Sequence, residues 1–295
     1  QGQYPVISLS LKSMKQGSYK DAFHMFKVLI AREYDRHKDI LKSDKISDSE
    51  KDLFHSILTQ KAEDAFYLDS IKFLSDIIVK YYNKNVIILI DEYDVPLENA
   101  FHQGFYMDMV NLIRSVFESA LKTNSSLDRA FLTGCLRVSK ESIFTGLNNL
   151  DIFTIISPMF TDSFGFTPDE ITDILKYYKL EDKANEIKEW YDGYLFGDTQ
   201  IYNPWSTINY IKNLTVNPNY PCKPYWSNTS SNEIVKRLIE ESNDRTKNAI
   251  EELINGTPVR SQIYEDITYG TIDVNSEYIL SLIHISEPTR LRRIS

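Results

Sequence analysis

Two adjacent carboxylates, Asp91 and Glu92, close an unbroken apolar run at residues 86–90 (VIILI), which follows Asn83, Lys84 and Asn85. A short, mostly β-branched run bounded by polar residues is expected to form a strand buried on both faces. Such a strand brings its last side chains to the carboxyl end of a sheet, where open α/β folds bind their ligands. Carboxylates there are hard oxygen ligands for a divalent cation and can polarise water. Successive strand residues point to opposite sides, so two acids with two different jobs need neighbouring positions. The plainer alternative is an acidic pair that merely ends a buried strand.

About 40 residues later a second apolar run, residues 130–132, ends in Thr133 and Gly134. The string VIILIDEYD resembles a Walker B element. That likeness implies that Asp91 holds Mg²⁺, directly or through water, and that the metal neutralises charge on the β- and γ-phosphates of ATP. Glu92 then orients and polarises the attacking water. Thr133 corresponds to the sensor 1 residue of ASCE-type ATPases, which contacts the γ-phosphate or the water; taken alone it reads as structural. Arg137, in the string TGCLRVSK, is a phosphate sensor or arginine finger in one reading and a surface or interdomain salt bridge in the other.

Longer strings, LIDEYDVPL, LTGCLRVSKESIFTGLNNL, FGFTPDEI, WYDGYLF, IYNPWS and YWSNTSSN, occur in this order between Leu89 and Asn232. In these the chain resembles the AAA-ATPase-like family, often described alongside PD-(D/E)XK nuclease-type C-terminal regions. The resemblance implies an α/β fold: a parallel-sheet P-loop NTPase core of the ASCE type, with a lysine-bearing Walker A loop upstream of the first strand, then a mainly helical lid. None of the ten glycines begins GxxxxGK[ST]. Without the backbone N–H cradle and its lysine, the acids have little to act on, so the chain as written is expected not to hydrolyse ATP at a useful rate. The Walker A strand lies between others in an ASCE sheet, so its loss is expected to leave exposed strand edges. The implied ligands are ATP and Mg²⁺, and the implied partners a second copy of the chain or another protein. Nucleic acid enters only by analogy with the nuclease-like regions. A non-hydrolysing nucleotide sensor or scaffold is the rival reading.

The elements that must position these residues follow from periodicity. Residues 4–12 alternate as a strand, and helices are expected over 18–37, 64–82 and 107–122, with a polar connection at 42–51. Strand, helix, strand points to a parallel α/β sheet. Beyond Phe164 helices dominate, the first opened by a capping box with Thr167 as N-cap, Pro168 at the first helical position and Glu170 at the third. Aromatic residues cluster from Trp190 to Trp226, as stacking surfaces for bases or as core and turn elements of the lid, and a last helical stretch covers 232–241. The expected domains are 1–163, the partial ATPase core, and 164–281, the lid.

Composition narrows the classes further. His24, His37, His55, His102 and His284 show no metal-ligand spacing, and Cys135 and Cys222 form neither a disulfide framework nor a CxxC pair. A net charge of −9 argues against a broad basic face for nucleic acid. No apolar stretch is long enough for a membrane span and no signal peptide is visible, so a cytoplasmic home is expected. The final residues, 282–295 (LIHISEPTRLRRIS), resemble a translated sequencing adapter and stand outside the expected fold; without them the charge would be more negative still. The opening QGQYPVISLSLK reaches a strand within a few residues, as though cut inside a domain.

Overall fold

The computed structural model describes residues 2–135, 143–144, 147, 150–225, 238–240, 242–264, 267 and 278–286. The chain divides into two compact units, residues 1–150 with 266–272, and residues 151–265 with 273–295.

In the first unit, β1 (Val6–Ser10), β2 (Val86–Asp91) and β3 (Leu127–Leu132) form a parallel sheet in the order β1-β2-β3. The run VIILI is therefore the middle strand, with Leu9 opposite Ile90 on one side and Ile90 opposite Leu132 on the other. Parallel neighbours require long crossovers. The first is α1 (Tyr19–Arg36), α2 (Asp48–Leu58), α3 (Asp64–Leu68) and α4 (Ser70–Tyr82); the second is α5 (Val95–Gln103) and α6 (Tyr106–Phe117), which runs into one π-type turn at Glu118–Lys122. The α/β class with a parallel sheet is as expected.

Local chemistry sets the helix boundaries. Ser18 caps α1, its Oγ accepting from the Asp21 N–H at 3.2 Å. The segment read as a polar connection contains a reciprocal capping box, Ser47 with Glu50, that starts α2. The single helix expected over 64–82 is two: at Asp69 the backbone leaves the helical region (φ −103°, ψ 4°), and the Ser70 hydroxyl donates to the Tyr67 carbonyl at 2.7 Å. α4 stops where Asn83 takes a left-handed conformation, which asparagine tolerates better than most residues.

The expectation that VIILI is buried on both faces is corrected. Val86, Ile88 and Ile90 are buried with Ile7 and Leu9, below the apolar stripes of α1 (Phe26, Ile30) and α4 (Leu74, Ile78). On the other face Ser8, Leu89 and Phe131 lie side by side in register and are exposed, Leu89 at 36% and Phe131 at 55%. An apolar run records that no position is polar; it cannot record that no described element covers one side.

The two sheet edges are also unlike. The Ser8 N–H, directed away from β2, donates to Oε1 of Glu33 at 2.9 Å, and that side chain of α1 is only 5% exposed. Arg36 and His37 hold the same carboxylate at 2.7 and 3.2 Å. The outer edge of β1 is thus closed by a charged side chain, a common way of blocking further pairing. Among the described residues, no strand pairs with the outer edge of β3.

In the second unit α7 (Pro168–Tyr178) begins with the expected capping box of Thr167 and Glu170. There follow α8 (Ala184–Tyr191), the antiparallel hairpin of β4 (Asp192–Phe196) and β5 (Thr199–Tyr202), α9 (Pro204–Val216), α10 (Asp244–Ile254) and α11 (Tyr278–Ser286). Ile171, Leu175, Ile187, Tyr191, Tyr202, Tyr210 and Leu214 form its core, so three tyrosines of the aromatic cluster are core, whereas Trp190 and Trp205 are exposed and Trp226 lies outside the described residues. Of the helical stretch expected over 232–241, residues 238–240 are helical and the rest lie outside the described residues. Of the adapter-like end, 282–286 belong to α11 and 287–295 lie outside the described residues. No described helix is long and apolar enough to cross a membrane.

Candidate functional site

The carboxyl ends of the three strands place the candidate residues in one row. Ser10 on β1 stands opposite Asp91 on β2, and the Leu11 N–H donates to the Asp91 carbonyl at 2.9 Å. Beyond β3 the Thr133 N–H donates to the Ile90 carbonyl at 2.9 Å and the Thr133 carbonyl accepts from the Tyr93 N–H at 3.1 Å, which continues the ladder past the strand. The Thr133 hydroxyl is therefore held beside Asp91 and donates to its Oδ1 at 2.6 Å; the Ser10 hydroxyl approaches Oδ2 at 3.4 Å. The short first bond has the length of a hydroxyl donating to an ionised carboxylate. Asp91, Ser10 and Thr133 are all exposed, on the same side of the sheet as Leu89 and Phe131.

Glu92 leaves the strand with φ 52°, a left-handed conformation that costs a side-chain-bearing residue about 1 kcal/mol or more. This turn moves its carboxylate out of the β alternation. It pairs with Lys12 at 3.7 Å, an exposed contact worth little to stability. Asp94 is buried and accepts from the Cys135 N–H at 2.9 Å. Desolvation, and then the carboxylates of Asp94, Glu92, Glu98 and Asp91, push the Cys135 thiol up to about 11.

The structure thus brings together Asp91, Thr133 and, one residue on, Glu92. Arg137 lies outside the described residues. Sequence reasoning missed Ser10, Lys12 and Asp94. Ser10 and Lys12 are unremarkable in the string LSLKS, and only strand register sets them beside the acids. Asp94 stood within the quoted DEYD string, and its clue was an acid entering an apolar helix start.

A family model described as Predicted AAA-ATPase matches residues 1–144. Over that stretch the chain is similar to the AAA-ATPase-like family. The stretch contains all three strands of the sheet and the whole Asp91–Thr133 row, and the family suggests nucleotide and Mg²⁺ binding in general. An uncharacterized protein from Azotobacter chroococcum mcd 1, encoded in the vnfD 5′ region, is 26% identical over 159 residues, which are 54% of this chain and 30% of that protein. The chain spans less than a third of that relative's length. No solved structure matches the chain.

The donor set fits Mg²⁺ better than a metal caged by protein alone. Among the described residues no three His, Cys, Asp or Glu side chains converge as a metal site. Mg²⁺ usually takes one or two carboxylates and completes its octahedron with water and phosphate oxygens. One carboxylate flanked by two hydroxyls is such a partial shell.

Proposed function

We propose that residues 1–144 supply the acid-bearing side of an Mg-ATP site in a P-loop core of the ASCE type. The observation that carries this is the 2.6 Å hydrogen bond between Thr133 Oγ1 and Asp91 Oδ1, across the ends of neighbouring parallel strands. Asp91 holds Mg²⁺, which when bound offsets phosphate charge. Thr133 fixes the orientation of the Asp91 carboxylate and faces the γ-phosphate or the attacking water. Glu92, turned away from Asp91 by its left-handed backbone, orients and polarises that water as general base.

A Walker A strand fits the outer edge of β3, because Glu33 closes the edge of β1, and its following helix would cover Leu89 and Phe131. Residues 164–281 act as the mainly helical lid. Since no GxxxxGK[ST] loop occurs in the sequence, the chain by itself turns over no ATP, and the same fact favours a second reading, a nucleotide sensor or scaffold that does not hydrolyse. Mn²⁺ titration followed by water-proton relaxation tests the metal assignment on the chain as it stands: Asp91→Asn should abolish the strongest site, and an unchanged titration would sink it. In a chain extended to include a phosphate-binding loop, Glu92→Gln separates the two readings. An ATPase loses turnover and keeps ATP, whereas a sensor has no rate to lose.

A further inference from the structure

The segment that carries Thr133 is held from behind by a group outside the proposed chemistry. Asp94 is only 2% exposed, and Oδ2 of its carboxylate accepts from the Cys135 N–H at 2.9 Å. Its own carbonyl accepts from the Leu97 and Glu98 N–H groups at 3.0 and 2.9 Å, so the same residue opens α5. Between Thr133 and Cys135 sits Gly134. A Cβ placed there would stand 2.7 Å from Asp94 Oδ1 and 2.8 Å from Tyr93 Cε1, closer than packed atoms approach. Tyr93 in turn packs edge-on against Phe117 and Phe144, with ring centroids 6.4 and 5.4 Å away. The glycine therefore lets the backbone after β3 lie directly on the Tyr93-Asp94 turn after β2.

We propose that Asp94 is a positioning residue, a clamp that joins the turn after β3 to the turn after β2 and thereby holds the Thr133 hydroxyl on Asp91. The physical need is clear from the geometry. Thr133 is the last residue whose backbone pairs with the β2 segment, through Ile90 and Tyr93, and its side chain is exposed. Beyond that point an exposed hydroxyl–carboxylate bond does not by itself hold the chain, because the entropy lost in ordering each backbone residue is at least as large as the net return of one hydrogen bond. The part-buried bond from the Cys135 N–H to the Asp94 carboxyl, two residues further on, supplies the additional restraint. The functional meaning of the clamp, though not its existence, rests on the Mg-ATP reading above.

Residue-resolved amide exchange on the 295-residue chain tests it, measured at Tyr93, Thr133 and Cys135 with Leu9 as an internal control. Asp94→Ala and Gly134→Ala should each speed exchange at the three amides roughly five- to tenfold, the loss of about one hydrogen bond, and Asp94→Asn, which keeps one acceptor oxygen, should do so less; all three leave Leu9 unchanged. Thr133→Val alone should speed exchange at Cys135 severalfold, yet add little in the Asp94→Ala background, because the two groups act through one loop. If Asp94→Ala does not fold, the Asp94→Asn, Thr133→Val double variant serves the same cycle. Purely additive effects, or exchange that Asp94→Ala and Gly134→Ala leave unchanged, overturn the clamp. Mn²⁺ titration of the same variants separates the two proposals. Loss of Asp91-dependent Mn²⁺ affinity in Asp94→Asn, severalfold, is the expected result. Coupled exchange in a chain without Asp91-dependent Mn²⁺ binding supports the clamp and overturns the Mg-ATP reading.

Discussion

Replacing Glu33 tests whether the outer edge of β1 is closed by a single buried carboxylate. In the native chain Oε1 accepts from the Ser8 N–H at 2.9 Å and from His37 at 3.2 Å, and Oε2 accepts from Arg36 at 2.7 Å. The Ser8 bond is part-buried, and a hydrogen bond from a backbone N–H to a charged acceptor is worth about 2 kcal/mol, with a further cost where losing the acceptor leaves the donor without a partner. The Arg36 head is 55% exposed, so its pairing contributes at most about 1 kcal/mol. Glu33→Ala should therefore destabilise the chain by about 2–4 kcal/mol, while Glu33→Gln, which keeps one acceptor oxygen, should cost about 1–2. Urea unfolding followed by far-ultraviolet circular dichroism gives both values, and amide exchange at Ser8 should rise in parallel. A cost below about 0.5 kcal/mol for Glu33→Ala, the range of an ordinary surface substitution, would refute the view that this carboxylate closes the edge.

Two further outcomes follow from the same physical reading. The Glu50 carboxyl is held at about 2 by its hydrogen bond with Lys80, against the opposing effect of desolvation, with help from the Ser47 hydroxyl and N–H. A carboxyl lowered on folding contributes stability that is complete above its ordinary value of 4.5 and is lost as pH falls toward 2. The melting temperatures of native chain and Glu50→Gln should accordingly differ at pH 6 and converge near pH 2; a constant gap would count against the pairing. Phe131 is 55% exposed on the uncovered face of the sheet, so Phe131→Thr should reduce concentration-dependent light scattering and change stability by less than about 1 kcal/mol. Unchanged scattering would mean that this face does not drive self-association.

The sequence by itself determined the elements whose signals are local. The alternation of residues 4–12 and the run VIILI specify β1 and β2, and Thr167, Pro168 and Glu170 specify the start of α7, because a strand's period and a helix's unpaired N–H groups are satisfied within a few residues. It also placed Asp91 and Glu92 at a strand end, since an apolar run that stops at two acids needs no tertiary partner to be read. Tertiary structure alone decided the rest. Whether Leu89 is buried depends on what lies across the sheet from it, and its own side chain is apolar in either case. The bond from Thr133 to Asp91 joins residues 42 apart and exists only because β2 and β3 pair in parallel in one register. Ser10 reaches the same carboxylate for the same reason, from 81 residues away. Asp94 looks in sequence like one more acid after a strand; burial against Gly134 and Cys135 is what turns it inward, and burial is a property of the assembled chain.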